Sequence, residues 1–524
     1  MQSGDTAAGS RRNSVGTVIA ALSLAITGAI AQPVMFQKAI GGSKLEYCYA
    51  MLVARDSGYI LGGVSLSYGG AYAAKVDYRG TLLWTKTYFD GTPKAVNDMV
   101  YTADHGFFIS GWGIVGLKCD STGTVQWNTV FSRADAYPSI QTHDLGYLVS
   151  GYILNAGNVE DIPIIKLTPG GDTVWTKIYG GAGVDWTYSI VETKDQSAYL
   201  IAGYTTSFGA GGKDVLLVKI DLTGAVLWAK TYGGSGDEYA FGHCLQQTSD
   251  SGFIMTGQGW NSAFLIKTDK DGNLSWAKTY GCPAANFGHE VQQTADNGYI
   301  LAGETMASGT CWQAYLVKTD ANGNLQWSKT YGGNSGVTDC GWIVKQTADK
   351  GYAVSGFTNS FGTGEDMYLI KTDSLGNSGC HETAPATIVG TPSVTQGTAA
   401  LLTYSYGMQI THPAVTTLSD SGLMTTVCQT TEILQPKVDE SVHDFSITMD
   451  PVTAVIMFNS PMAAPITAGL YDTRGRLVKQ LTDRNYGRAA DRVTWNVSGL
   501  PAGVYFCTVK TRSGTFCRKI VRLK

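Results

Sequence analysis

Charge is scarce in this 524-residue chain: Asp, Glu, Lys and Arg together supply 15% of it. Long solvated helices need more than that, so almost no α-helix is expected. None of the ten cysteines forms a Cys-x-x-Cys pair, which removes the commonest zinc spacing. There is no Ser/His/Asp set, no pair of carboxylates at a single break in symmetry and no Gly-rich phosphate loop. No apolar run reaches the about 20 residues of a membrane-spanning helix. The longest, Val15 to Ile30, follows Arg11 and Arg12 and ends in Ala29-Ile30-Ala31 before Gln32, the form of a signal peptide over residues 1–31. A twin-arginine signal and an uncleaved anchor are the alternatives. All ten cysteines lie beyond Ala31, and in an exported chain an even count favours some disulfides.

Basic charge is also missing where a polyanion would need it. The net charge is -4, but from His443 onward twelve Lys or Arg face five Asp or Glu, which leaves residues 32–443 at about -12. Nucleic acid is therefore excluded as a partner of the larger part of the chain. No cofactor and no resident metal is expected.

What the chain does have is repetition. Trp84, Trp127, Trp175, Trp228, Trp276 and Trp327 recur inside one phrase, best kept as Lys318-Thr319-Asp320-Ala321-Asn322-Gly323-Asn324-Leu325-Gln326-Trp327. A period of roughly 43 to 53 residues, built of short Val, Ile, Leu, Tyr and Thr runs broken by Gly and Asp, is that of a β-propeller with one blade per repeat. Seven copies of the first three strands occur but only six Trp strands. The missing one is Phe36-Gln37-Lys38-Ala39-Ile40-Gly41-Gly42, so both ends of the array should build blade seven and close the ring. The expected fold is all-β: a seven-bladed propeller over residues 32–380, a Thr/Ser-rich, partly ordered connector over 381–443, and a small Ig-like β-sandwich over 444–524. The repeated Trp is expected to pack against the next blade near a turn Gly rather than to touch a ligand. Asp269-Lys270-Asp271-Gly272-Asn273 has the start of a calcium loop without its distal Glu, and is expected to be a turn.

From Asp450 the text changes to Leu470-Tyr471-Asp472-Thr473-Arg474-Gly475-Arg476, Leu500-Pro501-Ala502-Gly503-Val504-Tyr505-Phe506 and a closing Lys519-Ile520-Val521. This stretch resembles the C-terminal sorting domain of proteins exported by the type IX secretion system of Bacteroidetes-like bacteria, with Asp450 where that family has Asn. The resemblance implies a sorting signal at Asp472, Gly475, Arg476, Gly503, Tyr505 and Lys519. It also implies the secretion machinery as a partner, and surface attachment or release. The propeller repeats look like those carried by such secreted proteins.

Function should sit on the face of the ring that carries the long loops, such as Ser207 to Asp214 and Ser360 to Asp366, because the other face has only tight turns. Aligning the first strands gives one position per blade near the central channel: Tyr49, Asn97, Tyr137, Tyr188, His243, His289 and Trp342. These side chains either pack between blades or form an aromatic and imidazole rim for an extracellular protein or glycan. The reading is an exported binding module without catalysis. A secreted enzyme acting on polysaccharide, or a quinone-dependent dehydrogenase, is the alternative. On the same face Cys282, Cys311 and Cys340 are disulfide candidates, with Cys282 to Cys311 favoured, Cys311 to Cys340 next, and three thiols otherwise.

Overall fold

The computed structural model describes residues 34–429, apart from short gaps at 90–93, 132–133, 155–156, 158, 308, 334–335, 405–409, 413–414 and 420–421, together with the strands between 445 and 522. The signal-peptide reading of 1–31 lies outside the described residues. Every regular element described is a β-strand. The chain divides into two units, Pro33–Thr431 and a second one from Glu432 onward.

The larger unit is a seven-bladed propeller. Blade six shows the pattern: Asn286–Gln293, Tyr299–Thr305, Gln313–Thr319 and Leu325–Tyr331 pair antiparallel in that order. In blade seven, Asp339–Gln346, Tyr352–Thr358 and Asp366–Thr372 are followed by Phe36–Gly41, with Phe36 opposite Lys371 and Ile40 opposite Met367. Chain ends separated by more than 300 residues therefore share one sheet.

Each blade buries both faces of its inner strands, so these read as continuous apolar runs such as Ala314 to Val317, all fully buried. Between blades, the half-buried Trp lies over the left-handed Gly of the next blade's third turn. A Cβ on Gly272 (φ 74°) would stand 2.8 Å from the Trp228 ring, and on Gly376 (φ 77°) 2.8 Å from Trp327. Only Gly tolerates both the backbone and the contact. Phe36 takes the Trp place against Gly80 of blade one. A tyrosine hydroxyl adds a bond to the same Gly carbonyl at five junctions, for example Tyr179 to Gly224 at 2.7 Å and Tyr331 to Gly376 at 2.6 Å. The calcium-like sequence is a turn: Asp269 Oδ1 accepts the amides of Asp271 and Asn273, and Oδ2 accepts Asn273 Nδ2.

The partly ordered connector takes a defined course. Residues 382–429 lay one short strand against the outer edge of every blade, giving each a fifth strand. Glu382–Thr383 joins blade six, Ile388–Gly390 blade five, Thr395–Thr398 blade four, Leu402–Tyr404 blade three, Ile410–Thr411 blade two, Thr416–Ser419 blade one and Leu423–Gln429 blade seven. The segment is a belt that travels once round the ring against the blade order, satisfying edge amides and carbonyls that four-stranded blades would leave open. Phe36–Gly41 is thus the fourth strand of blade seven, not its outermost. A disulfide between Cys380, where the belt begins, and Cys428, where it ends, closes the circuit.

The second unit contains two antiparallel sheets. Phe445–Met449, Thr453–Phe458 and Arg492–Asn496 form one, and Leu477–Thr482, Thr467–Tyr471, Gly503–Lys510 and Thr515–Arg522 the other. Asp472, Gly475 and Arg476 lie outside the described residues. Gly503 and Tyr505 sit on the third strand of the larger sheet and Lys519 on its fourth, opposite Phe506. Tyr505 is buried.

Candidate ligand site at the channel mouth

All seven first-strand residues singled out from the repeat line one cavity of about 560 Å³. The device that brings them there is a β-bulge. In blades one, four, six and seven the register slips between Cys48 and Ala50, Thr187 and Ser189, Gly288 and Glu290, and Gly341 and Ile343. The unpaired residue in each case is Tyr49, Tyr188, His289 or Trp342. In blade three the slip spans Tyr137 and Pro138, while Asn97 and His243 precede the regular strands of blades two and five. A bulge turns the extra side chain out of the ladder, here into the channel. Room for it comes from a glycine on the second strand: a Cβ on Gly63 would lie 1.7 Å from the Tyr47 carbonyl oxygen, and on Gly303 1.8 Å from that of Phe287.

The lining is mostly aromatic. Tyr49 stacks on Trp342 with centroids 5.0 Å apart. Trp342 meets His289 at 6.0 Å, His289 meets Phe241 edge-on at 4.6 Å, and Phe241 meets Tyr188 at 6.4 Å. Tyr188 meets Tyr137 at 5.7 Å, and Trp186 behind them stacks on Tyr152 at 4.8 Å. Asn97 is the exception: its Nδ2 donates to the Ala136 carbonyl, linking blades two and three. Trp112 and Leu66 also line the cavity, each 54% exposed. Burial, helped by Tyr137 and Glu365, pushes the Tyr49 phenol up to about 12, and burial with Tyr204 and Tyr137 pushes Tyr188 up as well. Both hydroxyls are hydrogen-bond donors at neutral pH.

Polar groups are few and mutually engaged. Asp98 lies at the floor, with Oδ1 3.7 Å from His243 Nε2, while its two oxygens accept the amides of Met99 and Ser139. Burial holds the Asp98 carboxyl above the usual range, against the pull of His243, those amides and Lys345. His289 Nε2 is 3.5 Å from Glu304 Oε1. Burial would raise Glu304, but His289, with Cys340 and Trp342, holds it below its ordinary value. Beyond the floor, a cavity of about 330 Å³ shares Asp98, Pro138, His243 and Ile343 with the first. There Glu290 accepts the Val344 amide at 2.6 Å and pairs with Lys345.

Sequence reasoning missed Tyr47, Phe241 and Asp98 as lining residues. Tyr47 and Phe241 stand two residues before the aligned position, and that column also holds Trp186 and Phe287. Asp98 immediately follows Asn97, in a column whose other members are Ala50, Pro138, Ser189, Cys244, Glu290 and Ile343. An acid in that company was the available signal. Of the alternatives for Cys282, Cys311 and Cys340, the structure has the three thiols, all buried, and the bond described joins Cys380 to Cys428. Packing explains it, because Cys340 lies within the blade seven first strand and not on the surface of a loop. Among the described residues no group of three or more His, Cys, Asp or Glu is arranged to hold a metal, and no helix is long and apolar enough to cross a membrane.

Residues 450–523 match the family described as "Secretion system C-terminal sorting domain". The second unit carries a sorting domain. The chain is thus a β-propeller marked for export to the cell surface or for secretion. Comparison with curated proteins found no match. Solved structures similar to it include PorZ, a surface component of the type IX secretion system of Porphyromonas gingivalis, at 11% identity and TM-score 0.40, with 92% of this chain and 60% of that one covered. A Bacteroides caccae protein of unknown function is 12% identical with TM-score 0.36, covering 56% of this chain and 93% of that one. The Neurospora crassa Pan2 WD40 domain is 13% identical with TM-score 0.41, covering 62% and 89%. The chain therefore spans about three fifths of PorZ.

Proposed function

We infer that the sorting domain delivers a binding module, and that the propeller engages an extracellular ligand through the channel mouth. One observation carries this reading: seven residues at one repeat position line a single aromatic cavity, five of them at bulges. Residues kept for blade packing alone would repeat as closely as the Trp does; these vary among Tyr, His, Asn and Trp. The absence of catalysis is supported by the state of the acids that break the repeat. Asp98 and Glu290 each hold backbone amides of a neighbouring blade, which suits structure better than proton transfer. A terminal group of a glycan or a protein would fill the volume, with phenol and imidazole groups orienting it.

The test is capture of ligand from immobilised glycan and peptide panels by the mature chain and by its Trp342→Ala and Tyr188→Ala variants. Loss of a specific signal in both variants is expected. A panel without a specific signal, or a ligand retained by both variants, overturns the reading.

A further inference from the structure

The chemistry of the lining narrows the ligand. We propose that the channel mouth selects an organic cation, an ammonium carried on a small apolar skirt, over neutral sugars and neutral apolar groups. The inference rests on the cavity being a ligand site.

Three features of the mouth point the same way. First, its walls are rings whose π faces are electron-rich, and such faces attract ammonium groups within about 6 Å of a centroid. Tyr47, Tyr49, Tyr137, Tyr188, Phe241 and Trp342 supply them. Second, carboxylates stand at or behind these rings. Asp98 is on the floor, Glu304 lies against His289, and Glu365 accepts the Tyr47 hydroxyl. No Lys or Arg lines the cavity. Lys345, which lines the second cavity, is paired with Glu290. A neutral ligand gains nothing from these carboxylates, whereas an ammonium is attracted by them in a site of low dielectric. Third, the same aromatic belt already holds a cation of the protein. Lys213 Nζ sits 4.9 Å from both the Tyr204 and the Tyr239 centroids, and Tyr204 contacts Tyr188 of the mouth. The propeller's charge of about -12 over residues 32–443 adds a long-range field that draws cations toward it.

The site differs from one made for sugar. A sugar platform pairs one or two aromatic faces with several free planar amides and carboxylates, but here Asn97 and Asp98 are both committed to backbone groups of neighbouring blades. What remains is apolar wall and negative field.

The experiment is a titration of the full mature chain, followed by tryptophan fluorescence and calorimetry, with choline and with 3,3-dimethyl-1-butanol, its uncharged isostere. Glucose oligomers form a third arm, and Nα-acetyl-lysine amide separates a free ammonium from a lysine side chain. Choline is expected to bind at least roughly tenfold tighter than the isostere, and to weaken as salt is raised while the isostere does not. Glu304→Gln and Asp98→Asn should each reduce choline affinity and leave the isostere's unchanged. If Asp98→Asn fails to fold, Glu304→Gln carries the test. Equal binding of choline and the isostere overturns the cation inference and leaves the binding reading standing, as does a preference for glucose oligomers. Saturation by none of these ligands overturns the inference too, and the panel capture then judges the binding reading by itself.

Discussion

Tyr49 of blade one and Trp342 of blade seven stack with planes 3° apart, between the first blade and the blade that both ends of the array build. The pair joins the ligand site to the closure of the ring. Replacing both by Leu, singly and together, should expose a coupling of about 0.5–1.5 kcal/mol in a denaturation cycle, the usual worth of an aromatic pair beyond its burial. A coupling near zero would mean that the stack is incidental.

The seam itself makes a larger claim. Deleting residues 32–42 removes the Phe36–Gly41 strand and leaves Asp366–Thr372 and Leu423–Gln429 facing an empty slot. The truncated chain is expected to melt at a lower temperature and to self-associate through the opened edges. A monomer with the melting temperature of the intact chain would refute the shared blade.

The fold was legible because propeller repeats state their own period: the Trp, the turn Gly before it and the aromatic starts of the second strands recur from blade to blade. The missing seventh Trp strand could be found at Phe36 by its phrase. The belt was not legible. Strands such as Glu382–Thr383 and Ile410–Thr411 are two residues long, too short for any alternation to register, and they gain their conformation from the edge they join. The ring of mouth residues could be aligned, since all occupy one column. That they enter the channel could not, because a bulge cancels the alternation from which side-chain direction is read.

Reduction of Cys380 to Cys428 tests the belt. In the chain-entropy account, a loop of this length (sequence separation 48) contributes about 4 kcal/mol. Cys428→Ser should therefore lose stability and show hydrogen exchange rising first in residues 382–429, with the inner strands still protected. Uniform exchange across blades and belt would show that the belt does not open separately. A fragment ending at Cys380 lacks the fifth strand of all seven blades, so binding work needs residues up to Thr431.

Asp366 predicts a pH dependence. Burial lifts its carboxyl to about 6; the Thr363 amide opposes this and Glu46 adds to it. The folded state then holds the proton more tightly than the unfolded chain, whose value is near 3.8. Its contribution is most favourable below the unfolded value and turns into a cost as pH rises through about 6. Asp366→Asn should stabilise the chain at neutral pH and flatten the urea-midpoint profile between those two values. A variant equally stable at both ends, with the original slope, would place the titration elsewhere.

Removal of residues 450–524 should leave a folded propeller that is retained in the periplasm of a host with the secretion system, because the address lies in a separate unit. Surface display of the shortened chain would show that the sorting domain is dispensable.

The packing between blades is non-covalent, yet the chain between Cys380 and Cys428 is bonded end to end around them. It works as a hoop on a barrel: a blade that swings outward as a stave would must stretch covalent bonds or drag the whole circuit over the rim. The channel mouth, lined by residues from every stave, keeps its diameter by the same restraint.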